Sequence, residues 1–133
     1  MKNLQSFSNI HDVIADGDVL KDLPGESMPE VITDIVGSLV KRGLIKPDLH
    51  EKCLKALLDR EEKSTTAIGH AVALPHARID GIEEPLVAFG RLADPVDMGA
   101  PDEIPTRFIF LIINPPVPKP EHFELLINIS KLM

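Results

Sequence analysis

Thr65-Thr66-Ala67-Ile68-Gly69-His70-Ala71-Val72-Ala73-Leu74-Pro75-His76-Ala77 is where the periodicity of this chain changes, and its reading decides the fold. Upstream, apolar residues recur at helical spacing. From here on they come in short runs bounded by Gly, Pro or charge, the pattern of strands. Leu74 is biased toward extended backbone by the proline behind it. Pro75 fixes its own φ and offers no N–H to a ladder, so the strand is predicted to stop there. His76 then falls on a loop just past a buried strand, where rigid scaffolds tend to present reactive groups.

Toward the N-terminus, Ser27-Met28-Pro29-Glu30 reads as a capping box, with Glu30 returning a bond to the cap. Val31, Ile32, Ile35, Val36, Leu39 and Val40 follow at helical spacing, so a helix runs to about Arg42 and Gly43 ends it. Pro47 and Asp48 open a second helix with an apolar face of Leu49, Cys53, Leu54, Leu57 and Leu58. Toward the C-terminus, strands are predicted at 71–74, 86–89 and 108–113. The last of these is apolar throughout and is expected to be central, buried on both faces. Val19-Leu20 is expected to begin a short strand, and Val96 with Met98 to form an edge strand. Pro115, Pro116, Pro118 and Pro120 predict a stiff connection. A last helix from near Glu121 turns Leu125, Leu126, Ile129 and Leu132 inward. Because that helix is still apolar at Met133, the expectation is a single domain over 1–133, truncated at its C-terminus.

With 133 residues, 44% hydrophobic and 26% charged, the composition is that of one soluble globular domain. Aromatic residues are only 4%, without Trp or Tyr, so the core is aliphatic. A net charge of -7 without a Lys/Arg cluster argues against nucleic-acid binding and against anionic membrane surfaces. The lone Cys53 has no disulfide partner in the chain and lies among apolar residues, as a buried thiol does. No signal peptide and no run of roughly 20 apolar residues is present, so a cytoplasmic protein without membrane insertion is expected. No G-x-x-x-x-G-K-[ST] phosphate loop and no G-x-S-x-G elbow occurs. The five histidines and one cysteine do not fall at zinc-ligand spacings, so neither a metal nor another cofactor is expected.

What remains is the imidazole of His76. Imidazole titrates near neutrality and can offer a free ring nitrogen to an electrophile. A phosphoryl group carried there would need donors and positive charge nearby, which Arg60, with Arg78 or Arg91, could supply.

Arg60-Glu61-Glu62, Thr66-Ala67-Ile68-Gly69 and Val72-Ala73-Leu74-Pro75-His76-Ala77 together resemble the signature of a known family. It is the fructose/mannitol-type (type 2) enzyme IIA domain of the bacterial phosphoenolpyruvate-dependent phosphotransferase system, including its nitrogen-regulatory branch. The similarity continues through Pro85-Leu86-Val87-Ala88-Phe89-Gly90-Arg91, Asp102, Phe108-Ile109-Phe110-Leu111 and Glu121-His122-Phe123. The resemblance implies an α+β fold, a three-layer α/β/α sandwich around a mixed β-sheet, which agrees with the order of elements read above. It implies that His76 accepts a phosphoryl group from the histidine phosphocarrier protein and passes it to a IIB domain. Arg60 and His122 would line the phosphohistidine pocket. It also leaves two other readings open: a regulatory interaction module of the nitrogen-related branch, whose acceptor is a regulated protein, or the soluble domain of a longer membrane transporter.

Overall fold

The computed structural model describes residues 19–116. Their elements are β1 (Val19–Leu23), α1 (Met28–Lys41), a 3-10 turn (Pro47–Leu49), α2 (His50–Lys63), β2 (Ala67–Gly69), β3 (Val72–Ala73), β4 (His76–Arg78), β5 (Leu86–Val96) and β6 (Thr106–Asn114). They form a mixed six-stranded sheet in the order β1-β5-β6-β3-β2, with β4 also on β6. β5 and β6 run antiparallel, whereas β1 pairs β5, and β3 and β4 pair β6, in parallel. This is an α+β architecture. The last helix, and with it any third layer of the sandwich, lies outside the described residues.

Both helices follow from local sequence. The Ser27 side chain accepts from the Glu30 amide at 3.4 Å, as a cap should. Glu30 returns its bond one residue earlier than a capping box would, accepting from the Glu26 amide at 2.8 Å. At the other end Gly43 takes φ 78°, its amide reaching Val40 and the Leu44 amide reaching Leu39. That is the paired closure of a Schellman motif. The second helix differs from expectation at its start: Pro47 and Asp48 form a 3-10 turn, and regular α-helix begins only at His50.

One apolar cluster joins α1 (Val31, Ile32, Ile35, Leu39) and α2 (Cys53, Leu57) to one face of the sheet (Ala73, Ala77, Leu111, Ile113). Val72, Leu74, Val87, Phe110 and Ile112 are buried on the other face. β6 is therefore covered on both sides, which is why its sequence is an unbroken apolar run. β5 is longer than its apolar core predicted. Pairing with β6 carries it past Arg91, through a register shift, to Val96 opposite Thr106. Val96 thus ends β5 instead of starting an edge strand, and Met98 lies beyond it.

The β2–β3 hairpin turns through His70 (φ 55°) and Ala71 (φ 65°), both left-handed. Two such residues make the primed turn that matches strand twist, although glycine or asparagine suits it better. Asp102 holds this turn by accepting from the His70 amide at 2.8 Å and the Ile104 amide at 3.1 Å. These amides depress the Asp102 carboxyl below the usual carboxylate range. The clamp is thus formed above that range and is released only as acid protonates the carboxylate. Gly69 (φ 102°) must stay small, since a Cβ there would meet Asp102 Oδ2 at 3.0 Å. Left-handed alanine costs about 1–2 kcal/mol, against about 0.5–1 kcal/mol for the entropy of glycine. Ala71→Gly is accordingly expected to stabilise the domain by about 0.5–1 kcal/mol. A urea midpoint that falls would contradict this reading of the turn.

Candidate functional site

The strand carrying His76 does not stop at Pro75. Val72 lies beside Phe108, Ala73 beside Ile109, His76 beside Ile112 and Ala77 beside Ile113, so β3 and β4 share one register along β6. Only the ladder is interrupted. Pro75 has no amide to give, but its carbonyl still accepts from the Ile112 amide at 2.9 Å. His76 is therefore the first residue of β4 and not a loop residue, which corrects the sequence expectation. The parallel partner, invisible in local sequence, supplies the continuity.

Alternation along this strand sends Ala73 and Ala77 into the helix-side core, while His76 stays half-buried. Backbone groups alternate too. Because the Pro75 carbonyl points at β6, both polar groups of Leu74 point to the outer side. There the Leu74 amide donates to the Thr66 carbonyl at 2.9 Å, and the Leu74 carbonyl lies 2.8 Å from His76 Nδ1. A carbonyl can only accept, so Nδ1 carries the proton in this pair. The neutral ring consequently has its lone pair on Nε2.

His76 opens onto a cleft of about 340 Å³ lined by Asp59, Arg60 and Lys63 from the end of α2 and by Ala77 and Arg78 of β4. The sequence-predicted pair His76 and Arg60 thus border one cavity. Arg60 Nη1 donates to the Ser64 carbonyl at 3.0 Å, which anchors the guanidinium at the helix C-terminus. Arg60 and Lys63 in that last turn also offset the negative end of the helix dipole. Asp59, the one acid among the described residues that line the cleft, receives a 2.6 Å bond from Lys55, whose ammonium pKa is raised by it. Arg78 shares the cleft. Arg91, the other arginine considered, lies on β5 beside Phe108 and is not among the described residues that line it. His122 lies outside the described residues.

Two participants were not singled out from sequence. Lys63 adds a third cation to the cleft. Glu61 accepts from the Thr66 amide at 2.9 Å and from the Thr66 hydroxyl at 2.9 Å. The Thr65 hydroxyl donates to the Met98 carbonyl at 2.6 Å. Both hydroxyls are thus engaged structurally, as expected of turn residues. Burial raises the pKa of the Cys53 thiol, in keeping with an inert core cysteine. No helix among the described residues is long and apolar enough to cross a membrane.

Residues 12–133 match the family described as phosphoenolpyruvate-dependent sugar phosphotransferase system, EIIA 2. Over 84 residues the chain is 36% identical to the PTS system fructose-specific EIIA component of Haloferax volcanii, covering 63% of this chain and 54% of that protein. The match therefore spans about half the length of that relative. The crystal structure of nitrogen regulatory protein IIA-Ntr from Neisseria meningitidis superposes with a TM-score of 0.70 at 31% identity, over 86% of this chain and 73% of the other. The Escherichia coli complex of enzyme IIAMTL with phosphorylated enzyme IIBMTL shares the fold, with a TM-score of 0.67 at 21% identity, over 86% and 76% of the two chains. A strand-borne histidine facing a basic cleft is thus set in a matching fold and a family match that runs nearly end to end. The chain belongs to the EIIA 2 family of the phosphoenolpyruvate-dependent sugar phosphotransferase system.

Proposed function

We propose that this chain is a phosphoryl carrier in which His76 Nε2 accepts a phosphoryl group from the histidine phosphocarrier protein and hands it to a IIB domain. The observation that carries this reading is the Nδ1–Leu74 contact at 2.8 Å on a histidine that borders a cleft with Arg60, Lys63 and Arg78. The Nε2 lone pair attacks phosphorus, and a P–N bond forms as the donor's P–N bond breaks. The donor imidazole leaves with its electron pair. His76 keeps its Nδ1 proton, and the positive charge this leaves on the ring is stabilised by the Leu74 carbonyl. Onward transfer repeats the exchange with the acceptor. Such chemistry asks for in-line positioning and charge stabilisation more than for covalent machinery. The cations of the cleft meet the phosphoryl oxygens, which a domain of net charge -7 would otherwise repel. For His122 the family resemblance implies a place beside the phosphohistidine.

A regulatory reading is favoured by one specific finding, the likeness at 31% identity to a protein named nitrogen regulatory protein IIA-Ntr. In that case the same phosphohistidine is a signal, and the acceptor is a protein whose binding depends on it. The test of both begins with labelling. Incubation with phosphoenolpyruvate, enzyme I and the phosphocarrier should place one phosphoryl group on the chain, lost in acid and kept in base. An acid-stable label would end this proposal. Adding a IIB domain should then discharge the label, whereas a purely regulatory chain would retain it.

Arg60→Ala is expected to slow loading about 10- to 100-fold, since a charge-assisted hydrogen bond is worth about 1.5–3 kcal/mol. Arg60→Lys should recover only part, because an ammonium lacks the planar fork. Rapid-quench labelling of the two variants checks this, and a loading rate for Arg60→Ala equal to that of the parent would remove Arg60 from the site.

A further inference from the structure

Glu61 is adjacent in sequence to an arginine of the cleft, yet its bonds lead elsewhere. Its carboxylate takes both donors of Thr66, the amide (2.9 Å to Oε2, 3.2 Å to Oε1) and the hydroxyl (2.9 Å to Oε1). Thr66 is buried, with 4% exposure, so these donors depend on a protein partner. The Thr66 carbonyl then accepts from the Leu74 amide at 2.9 Å, and the Leu74 carbonyl holds His76 Nδ1 at 2.8 Å. The four residues form one continuous relay along the outer side of the β3–β4 strand.

Around Leu74 the strand's hold on β6 is weakened. The ladder to β6 loses its amide at Pro75, directly between Leu74 and His76. Alternation against β6 turns the Leu74 carbonyl outward, and the Thr66 carbonyl, bonded to the Leu74 amide, steadies that residue from the outer side. Thr66 in turn leads into a β2 strand of only three residues that, among the described residues, pairs with β3 alone. Glu61 stands on the last full turn of α2, which is packed into the core through Cys53 and Leu57. It is the point at which a rigid element grips this edge.

We propose that Glu61 is a positioning residue: through Thr66 and Leu74 it holds the His76 ring in the Nδ1–H tautomer and aims Nε2 into the cleft. The partner of one ring nitrogen decides which tautomer the other presents, so a carbonyl set at fixed distance and direction selects the nucleophilic atom. Without the carboxylate, the Thr66 donors are left unpaired and the Thr66–Leu74 link slackens. The Leu74 carbonyl then turns away from Nδ1. Errors of about 1 Å in such placement cost about 100-fold in rate.

This inference rests on the reading of His76 as phosphoryl acceptor only for its functional consequence; the tautomer is measurable without any transfer. The experiment uses the full chain, with ring ¹⁵N shifts of His76 recorded where the imidazole is neutral. The parent should be predominantly Nδ1–H. Glu61→Ala should move several-fold more of the ring to the Nε2–H form and slow loading by about 10- to 100-fold. Glu61→Gln, whose amide oxygen still accepts from Thr66, should restore the parent tautomer. A folded Glu61→Ala with the parent tautomer overturns the proposal, whatever its loading rate. Should that variant fail to fold, Thr66→Val decides, since it deletes the hydroxyl half of the link and keeps the backbone. An unchanged tautomer there overturns it equally. If the tautomer shifts as expected but the parent takes no label at His76, the positioning role stands and the phosphoryl-carrier reading falls.

Discussion

His76→Ala is expected to take no acid-labile label from the phosphocarrier at all, while keeping the secondary structure and melting behaviour of the parent to within about 1 kcal/mol. On the proposed mechanism, the variant lacks the nitrogen to which phosphorus bonds. No other histidine is expected to substitute, since a reacting atom out of position forfeits the gain from orientation. The fold is expected to tolerate the change for a structural reason. His76 is half-buried at the first position of β4, and its backbone sits in register beside Ile112 whatever side chain it carries. What the ring contributes to the fold is the Nδ1 bond to Leu74, worth about 0.5–1.5 kcal/mol net. Labelling with quantification by acid and base stability, alongside a thermal melt, checks both halves. Residual label on the variant would mean that a different residue carries the group.

The second large effect concerns stability. Leu111→Ala is expected to cost about 3–5 kcal/mol, within the range for fully buried leucines. Leu111 has 0% exposure, sits at the middle of β6 opposite Ala88, and belongs to the cluster shared by α1, α2 and the sheet. Its small neighbour Ala88 cannot reach into the space left behind, so the cavity should persist. A domain margin of about 5–15 kcal/mol makes such a loss large, and a melting point lower by roughly 10–20 °C follows. Urea unfolding with an unchanged slope would show that the native state alone was weakened. A loss below about 1 kcal/mol would contradict the placement of β6 as a strand covered on both faces.

The sequence by itself was sufficient wherever structure depends on near neighbours. The first helix, its Ser27 cap and its Gly43 ending are local hydrogen-bond problems, and each was solved by the residues that the sequence offered. Burial of β6 on both faces was legible because a strand with no solvent face has no reason to alternate. The aliphatic core and the buried Cys53 followed from composition in the same way. The family signature pointed to His76 and Arg60, and these two residues border one cleft.

What only the tertiary structure decided has a common physical cause, the presence of a partner distant in sequence. Pro75 looked like the end of a strand, because in isolation a proline removes an amide and stops a ladder. Against β6 it removes only that amide, and His76 resumes the strand in the same register. β5 outran its apolar run because β6 was there to pair with it. Glu61 stood in the family signature without a role: a carboxylate near a helix end ordinarily faces solvent, and its partner Thr66 is defined only once the strand edge folds back onto α2. The choice of ring nitrogen on His76 belongs to the same class. It depends on the direction of one carbonyl, and that direction is set by alternation along a strand that exists only because β6 holds it.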